Sequence, residues 1–311
     1  MNKISRILKN YVSNKGYIKE KIKTKVFNKD VFLENLKEQG LISYCKKNKT
    51  YYRDIHGIKF HLMPHDTGIS RALALNGNRE EESVETFRRL VKPDMNIFDL
   101  GANIGFYVCL GAQILKNGKG KLYAIEPSPL NVNMVKINLK ENNFDEFATI
   151  NQGAISNETK KVKFLISSAS NWNKLLDVKE KDNKGEIIEV NAYTVNDFFK
   201  LNSIKFEEID FLRMDVEGAE YDFLPTIYSD LEKKEKFLMF IEFHPHINIK
   251  KHIKVLKHLE KLGFKSIDTT KEWSLGNGKT GRKHLPKTSI EELYSDEFLL
   301  QFGGVEVFLQ K

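Results

Sequence analysis

The chain has 311 residues, 41% of them hydrophobic and 30% charged, with a formal net charge of +8. That length and apolar share suit a buried core and exclude a disordered or collagen-like chain. Two cysteines, Cys45 and Cys109, match no metal spacing and exclude a disulfide scaffold; no run of about 18 apolar residues marks a membrane span.

The charge is uneven. Residues 1–30 hold nine Lys or Arg against Glu20 and Asp30, a surplus of seven, so the remainder is near neutral. Ile4, Leu8 and Tyr11 recur at helical spacing in this arm. A basic amphipathic stretch of that kind suits contact with an anionic membrane surface or, less well, nucleic acid. The start lacks the continuous apolar stretch of a secretory signal. The expected location is cytoplasmic; the arm reads first as a solvated, lysine-rich helical extension, with peripheral membrane contact as the functional alternative.

Residues 31–48 read as a helix on Val31, Phe32, Leu36 and Leu41. Tyr51-Tyr52 and Ile58 to Leu62 read as two short strands around His56-Gly57, a hairpin. Arg79 to Leu90 is a charged, amphipathic helix, and Lys92-Pro93-Asp94 breaks it. The expected division is a helical and hairpin extension over 1–90 and a second domain over 91–311.

The second domain opens on N-I-F-D-L-G-A-N-I-G, Asn96 to Gly105, followed by an apolar helix from Phe106 to Lys116. Strand, glycine turn and helix in that order open a nucleotide-binding α/β sheet. Gly101 and Gly105 permit the turn and the close approach of a ligand to backbone N–H groups. Asp99, at the strand end, would repel a pyrophosphate but attract the ammonium and sulfonium of S-adenosylmethionine. The next strand, K-L-Y-A-I-E-P, ends in Glu126, a carboxylate placed to accept ribose hydroxyls. Ser128 and Pro129 cap a helix reaching Asn142. Phe147 to Ile155 reads as the third strand and its turn, with Gln152, Gly153 and Ala154 placed to meet an adenine edge.

Residues 162–166 and 186–195 read as strands framing a polar loop that carries Trp172, a candidate aromatic platform. Ile209 to Asp215 and Lys236 to His244 are the fourth and fifth core strands; the apolar run of the latter suits burial on both faces. Ile253 to Leu262 is a helix, and 265–269 and 304–309 are late strands around a long polar stretch. Asp215 and Glu217 follow the fourth strand, and Glu242 and His244 close the fifth. Ligands of open α/β sheets bind at such carboxyl ends. Asp215, Glu217 and His244 are thus the candidate catalytic residues, with a carboxylate or the imidazole taking a proton from a hydroxyl acceptor. Glu220 reads equally as a member of this cluster or as an exposed acid. The acids and histidine could also hold a divalent metal, but their spacing is no fixed metal motif and no metal is assigned.

D-L-G-A-N-I-G, A-I-E-P-S-P-L-N, N-Q-G-A-I-S, M-D-V-E-G-A-E and I-E-F-H follow one another as in FkbM-type methyltransferases, which the chain resembles over about residues 75–245. The resemblance implies an α/β, Rossmann-like class I fold: a mostly parallel sheet with an antiparallel C-terminal strand. It implies S-adenosylmethionine as cofactor and O-methylation of sugars or other hydroxylated small molecules. By position it puts Asp99, Gly101, Asn103, Gly105 and Glu126 in the cofactor site, and Asp215 and Glu217 beside the transferred methyl. Arg213 departs from the lysine common in that family. The alternatives are an RNA methyltransferase using the basic arm, a non-catalytic scaffold that kept the fold, and a nicotinamide dehydrogenase, which Asp99 disfavours. An N/D-P-P-Y segment, as used for N-methylation, is absent from the fourth strand end.

Overall fold

The computed structural model of the protein describes residues 51–311 apart from 64–65, 67, 167–173, 176–185, 277–278 and 300–303. The arm 1–30, the helix expected over 31–48 and Trp172 lie outside the described residues. The hairpin is present. β1 (Tyr51–Ile55) and β2 (Ile58–Leu62) pair antiparallel across His56 and Gly57, both at positive φ. That is the backbone a two-residue hairpin turn requires.

Helices α1 (Ile69–Asn76) and α2 (Glu81–Leu90) follow. Then strand and helix alternate: β3 (Ile97–Leu100), α3 (Phe106–Leu115), β4 (Leu122–Glu126), α4 (Pro129–Glu141) and β5 (Ala148–Gln152). The Ser128 side chain caps α4, accepting from the Asn131 N–H, with Pro129 at its first position. The third strand and its turn fall within Phe147 to Ile155. Gly153, at φ 152°, ends it and turns the chain into β6 (Ala154–Ile155) of a separate small sheet. That sheet also holds β7 (Lys160–Ile166), β8 (Lys174–Leu175) and β9 (Glu186–Tyr193).

After α5 (Val195–Leu201) the chain returns to the main sheet through β10 (Phe211–Met214), short helices α6 (Glu220–Phe223) and α7 (Tyr228–Lys233), and β11 (Leu238–Phe243). Helix α8 (Ile249–Lys261) precedes β12 (Lys265–Gly276), β13 (Lys279–His284), α9 (Ile290–Leu293), α10 (Asp296–Leu299) and β14 (Val305–Gln310). The long polar stretch after residue 269 carries the rest of β12, all of β13 and two short helices. The main sheet runs β13-β12-β14-β11-β10-β3-β4-β5. β11, β10, β3, β4 and β5 are parallel; β14 runs against β11, and β12 and β13 extend that edge antiparallel. This is the Rossmann-like sheet with its antiparallel C-terminal strand.

Because side chains alternate along a strand, the central strands present two different faces. Phe98, Leu100, Leu212, Met214, Met239, Ile241 and Phe243 belong to one apolar core cluster. On the other face Phe211 packs edge-on against Phe87, and Phe240 lies between Tyr107 and Phe308. Toward the carboxyl ends this second face changes from aromatic to charged, with Arg213 and Glu242 following those rings along their strands. Here the sheet stops being only a core and becomes a site.

Candidate active site

β3 leads to β4 on one side, while its other neighbour is β10. The strand order therefore reverses between β3 and β10, and a crevice opens at the carboxyl ends of that pair. The turns after the two strands touch. A Cβ on Gly101 would run into the carbonyl oxygen of Asp215, and Gly101 already sits at φ 82°. Gly105 is needed against Val135 of α4 and at φ 87°. These glycines are required by packing and backbone conformation; the expected clearance for a ligand is not what either Cβ would first violate.

Glu126 is buried at the end of β4. One carboxylate oxygen accepts the N–H of Asn103 at 2.9 Å; the other accepts the N–H of Ser128 at 2.9 Å and the side-chain amide of Asn131 at 3.1 Å. The glycine turn, β4 and α4 are thus tied to one carboxylate. Burial outweighs those three hydrogen bonds and pushes the carboxyl up to about 7. Among the described residues the oxygen facing Asn103 accepts one hydrogen bond, and a carboxylate oxygen has a lone pair for a second donor. Asn103 is held at φ 50°, and Gly153 donates its N–H to the Glu126 carbonyl. Ala154 is buried and pairs with Ala192 of the small sheet.

Asp99 is only 1% exposed. Its carboxylate meets Nη1 of Arg213 at 3.2 Å, its register partner on β10. The same Nη1 donates to the Gly101 carbonyl at 2.7 Å, and Nη2 donates to Asp215 at 2.9 Å. The guanidinium lies 5.0 Å from the Tyr107 ring centre, a cation–π contact. The position of Asp99 suggested direct contact with a cationic ligand; in this structure its carboxylate is met by Arg213. Burial raises its carboxyl against the pull of the guanidinium. Burial also opposes the charge on Arg213, but Asp99 and Asp215 more than compensate and hold that proton firmly.

Asp215, Glu217 and His244 come together. Their ligand atoms all lie within 4.8 Å of one another. Glu217 sits at φ 49°, uncommon for a residue with a Cβ, and Gly218 follows at φ 99°. That turn swings the Glu217 carboxylate back over the sheet end, 3.3 Å from Nε2 of His244. Glu220 is 0% exposed, so it is not a surface acid. One of its oxygens accepts the N–H of Gly218, and the other accepts the backbone N–H of His244 at 2.8 Å and meets its Nδ1 at 3.2 Å. Since both oxygens already act as acceptors, Nδ1 is the donor in that contact. Burial opposes charge on His244, but Glu220, Glu242 and Glu217 together lift it to about 10. Burial pushes Glu217 up to about 7 despite His244, with Asp215 and Glu220 adding to the shift. Glu242, half-buried and 3.8 Å from Nε2, is raised well above the usual range by desolvation and by Asp215.

The crevice wall also contains residues that sequence reasoning missed. The Tyr107 hydroxyl donates to Glu80 at 2.9 Å, and Arg79 pairs with the same carboxylate. Ser83 and Arg282 both bind Glu306, the register partner of Glu242. Arg79 and Glu80 form an unremarkable charged pair before a helix, and nothing in their spacing announces a place beside the sheet end.

A family model described as the methyltransferase FkbM domain matches residues 99–266. No curated protein sequence matches the chain. Among solved structures, TYW2 of M. jannaschii in complex with AdoMet is 16% identical with a TM-score of 0.41, covering 84% of this chain and 86% of that one. An O-methyltransferase of Bacillus cereus in complex with SAH is 9% identical with a TM-score of 0.40, covering 76% and 84%. A methyltransferase FkbM of Methylobacillus flagellatus KT is 12% identical with a TM-score of 0.39, covering 89% and 60%.

Proposed function

The chain belongs to the FkbM methyltransferase family, an S-adenosylmethionine-dependent methyltransferase, and from that premise we propose that its acceptor is a hydroxyl of a sugar, a glycan precursor or a similar small molecule. The residues present fit the cofactor. Glu126 keeps an oxygen lone pair for a ribose hydroxyl, and the acids at the ends of β10 and β11 favour a cationic amino-acid portion. When bound, S-adenosylmethionine supplies a methyl group on a sulfonium, ready for attack by a nucleophile.

The observation that carries the hydroxyl reading is the meeting of Asp215, Glu217 and His244 over the sheet end. An alcohol is a poor nucleophile until its proton leaves, so its enzyme needs a proton acceptor beside the reacting oxygen. At neutral pH His244 already holds a proton. The accepting group is therefore a carboxylate, Asp215 or Glu217, and His244 balances their charge. Residues 1–30, with their positive surplus, suit attachment to an anionic membrane surface, which would keep the enzyme cytoplasmic and close to a lipid-linked acceptor.

Thermal unfolding with and without S-adenosylhomocysteine, with NADH as control, tests the cofactor step. At ~100 times the dissociation constant, linkage gives about 2.7 kcal/mol, or roughly 5 °C for a chain of this size. Polyhydroxylated acceptors are then screened by formation of S-adenosylhomocysteine. Turnover only on RNA, with steep salt dependence, would replace the sugar reading; a shift with NADH alone would remove the cofactor assignment.

A further inference from the structure

Three side chains of different type converge at the cluster over β10 and β11. Asp215 ends one strand, Glu217 is carried by the strained turn after it, and His244 ends the neighbouring strand. We propose that Asp215, Glu217 and His244 form a binding site for a divalent cation of the Mg2+ or Mn2+ kind. The site itself stands on geometry; its use in methyl transfer rests on the function proposed above.

The donor set suits such an ion. Two carboxylates and one imidazole offer the oxygen and nitrogen ligands that hard and borderline dications accept, and their two negative charges match the ion. Metal–oxygen distances of about 2.1–2.2 Å spread opposite ligand atoms to about 4.3 Å. The three ligand atoms lie within 4.8 Å of one another, within reach of a single ion. The cluster is also anchored. Arg213 holds one oxygen of Asp215 at 2.9 Å.

A second observation concerns the imidazole. The His244 side chain is 5% exposed, and its Nδ1–H is directed to Glu220. Glu220 is fixed in turn by two backbone N–H groups. Carboxylate, histidine and metal in that order is how protein metal sites orient their imidazoles. With Nδ1 so engaged, Nε2 is the nitrogen aimed at Glu217 and Glu242. Those carboxylates lie 3.3 and 3.8 Å from it, and a dication among them offsets the negative charge gathered there. Positions left open on the ion face the crevice and suit two neighbouring oxygens of a polyhydroxylated acceptor. A hydroxyl held there is acidified, and its proton passes to a carboxylate oxygen of the cluster that the ion does not use.

The test uses the full chain, freed of metal with a chelator and titrated with Mn2+, with unbound Mn2+ followed by electron paramagnetic resonance. One saturable site per chain is expected, displaced by Mg2+. Glu217→Gln and His244→Asn should each weaken it by tenfold or more, and Glu220→Gln by about tenfold through loss of the imidazole's orientation. If either of the first two variants fails to fold, Asp215→Asn takes its place with the same expectation. No saturable binding at millimolar Mn2+, or equal binding in wild type and variants, overturns the proposal. Thermal stabilisation by S-adenosylhomocysteine is read on the same samples. Its persistence without Mn2+ binding would remove the metal site and leave the methyltransferase reading; its absence in wild type would do the reverse.

Discussion

A lysine at position 213 would carry the same charge as the arginine with one nitrogen in place of a fork. Arg213 uses two nitrogens to reach three oxygens, on Asp99, Gly101 and Asp215. Those oxygens belong to β3, its turn and the end of β10, the two sides of the switch point. A single ammonium cannot hold all three at once and does not stack flat on Tyr107. Arg213→Lys should therefore leave the fold formed but loosen the crevice. A loss of about 1–3 kcal/mol of stability is expected, below the ~3–5 kcal/mol for leaving a buried carboxylate with no partner. The KM for S-adenosylmethionine should rise more than kcat falls, because the guanidinium sets the position of the turn and does not touch a reacting atom. Urea unfolding with steady-state kinetics would check both; a variant with unchanged KM would show that the fork is structural only.

At the scale of elements, β2 is instructive because it is an edge strand. Its free backbone is paired by Asn138 of α4 and Asn142, which caps the C-terminus of that helix. Asn138 accepts the N–H of His61 at 2.7 Å and donates to the carbonyls of His61 and Ile104; Asn142 accepts the N–H of Lys59 and donates to its carbonyl. An unpaired edge invites association with another chain, and here two side-chain amides cover it. Asn138 is fully buried, so Asn138→Ala strands three backbone partners and should cost about 2–4 kcal/mol. Hydrogen exchange should show the hairpin amides losing protection before those of β3 and β4; equal protection throughout would mean that the hairpin holds without the clamp. The same region marks the limit of what the sequence discloses. Apolar alternation and the His56-Gly57 turn reveal the hairpin, just as the Asp99 to Gly105 turn and the Ser128-Pro129 cap reveal the α/β units. Carboxyl-end logic brings Asp215, Glu217 and His244 to one place. Legibility ends at cross-strand register: pairing Asp99 with Arg213 requires knowing that β3 and β10 are neighbours. The same holds for Glu220, whose burial depends on where β11 ends, and for Gly153, where one backbone angle moves the chain to another sheet.

Across the whole molecule, buried titratable groups pull the pH dependence of stability in opposite directions. Glu126 and Glu306 are pushed up to about 7, by burial first and, for Glu306, by Glu80 as well. Between their unfolded value near 4.5 and about 7, the folded state binds more of their protons, so they stabilise the fold as pH falls. His252 acts the other way. It is buried between the Tyr221 hydroxyl, 3.2 Å from Nδ1, and the Leu293 carbonyl, 3.2 Å from Nε2, with the Phe243 ring edge-on to it. Burial pushes it down to about 4, and Lys271 adds to the shift, against the Leu293 carbonyl and Glu220. An unfolded histidine titrates near 6.5. Between those values the unfolded state binds the extra proton, so the contribution is complete above about pH 6.5 and is lost as pH falls toward 4. Its slope approaches 1.4 kcal/mol per pH unit in the middle of that window. The raw slope of the protein mixes both signs and identifies neither. The difference between wild type and His252→Gln isolates the histidine, because Glu126 and Glu306 are common to both. Urea unfolding from pH 7 to pH 4.5 should show the wild type losing stability relative to the variant as the acid range is entered. Parallel curves would mean that His252 keeps its ordinary proton affinity in the fold, and that the Tyr221–His252–Leu293 chain accepts a charged ring.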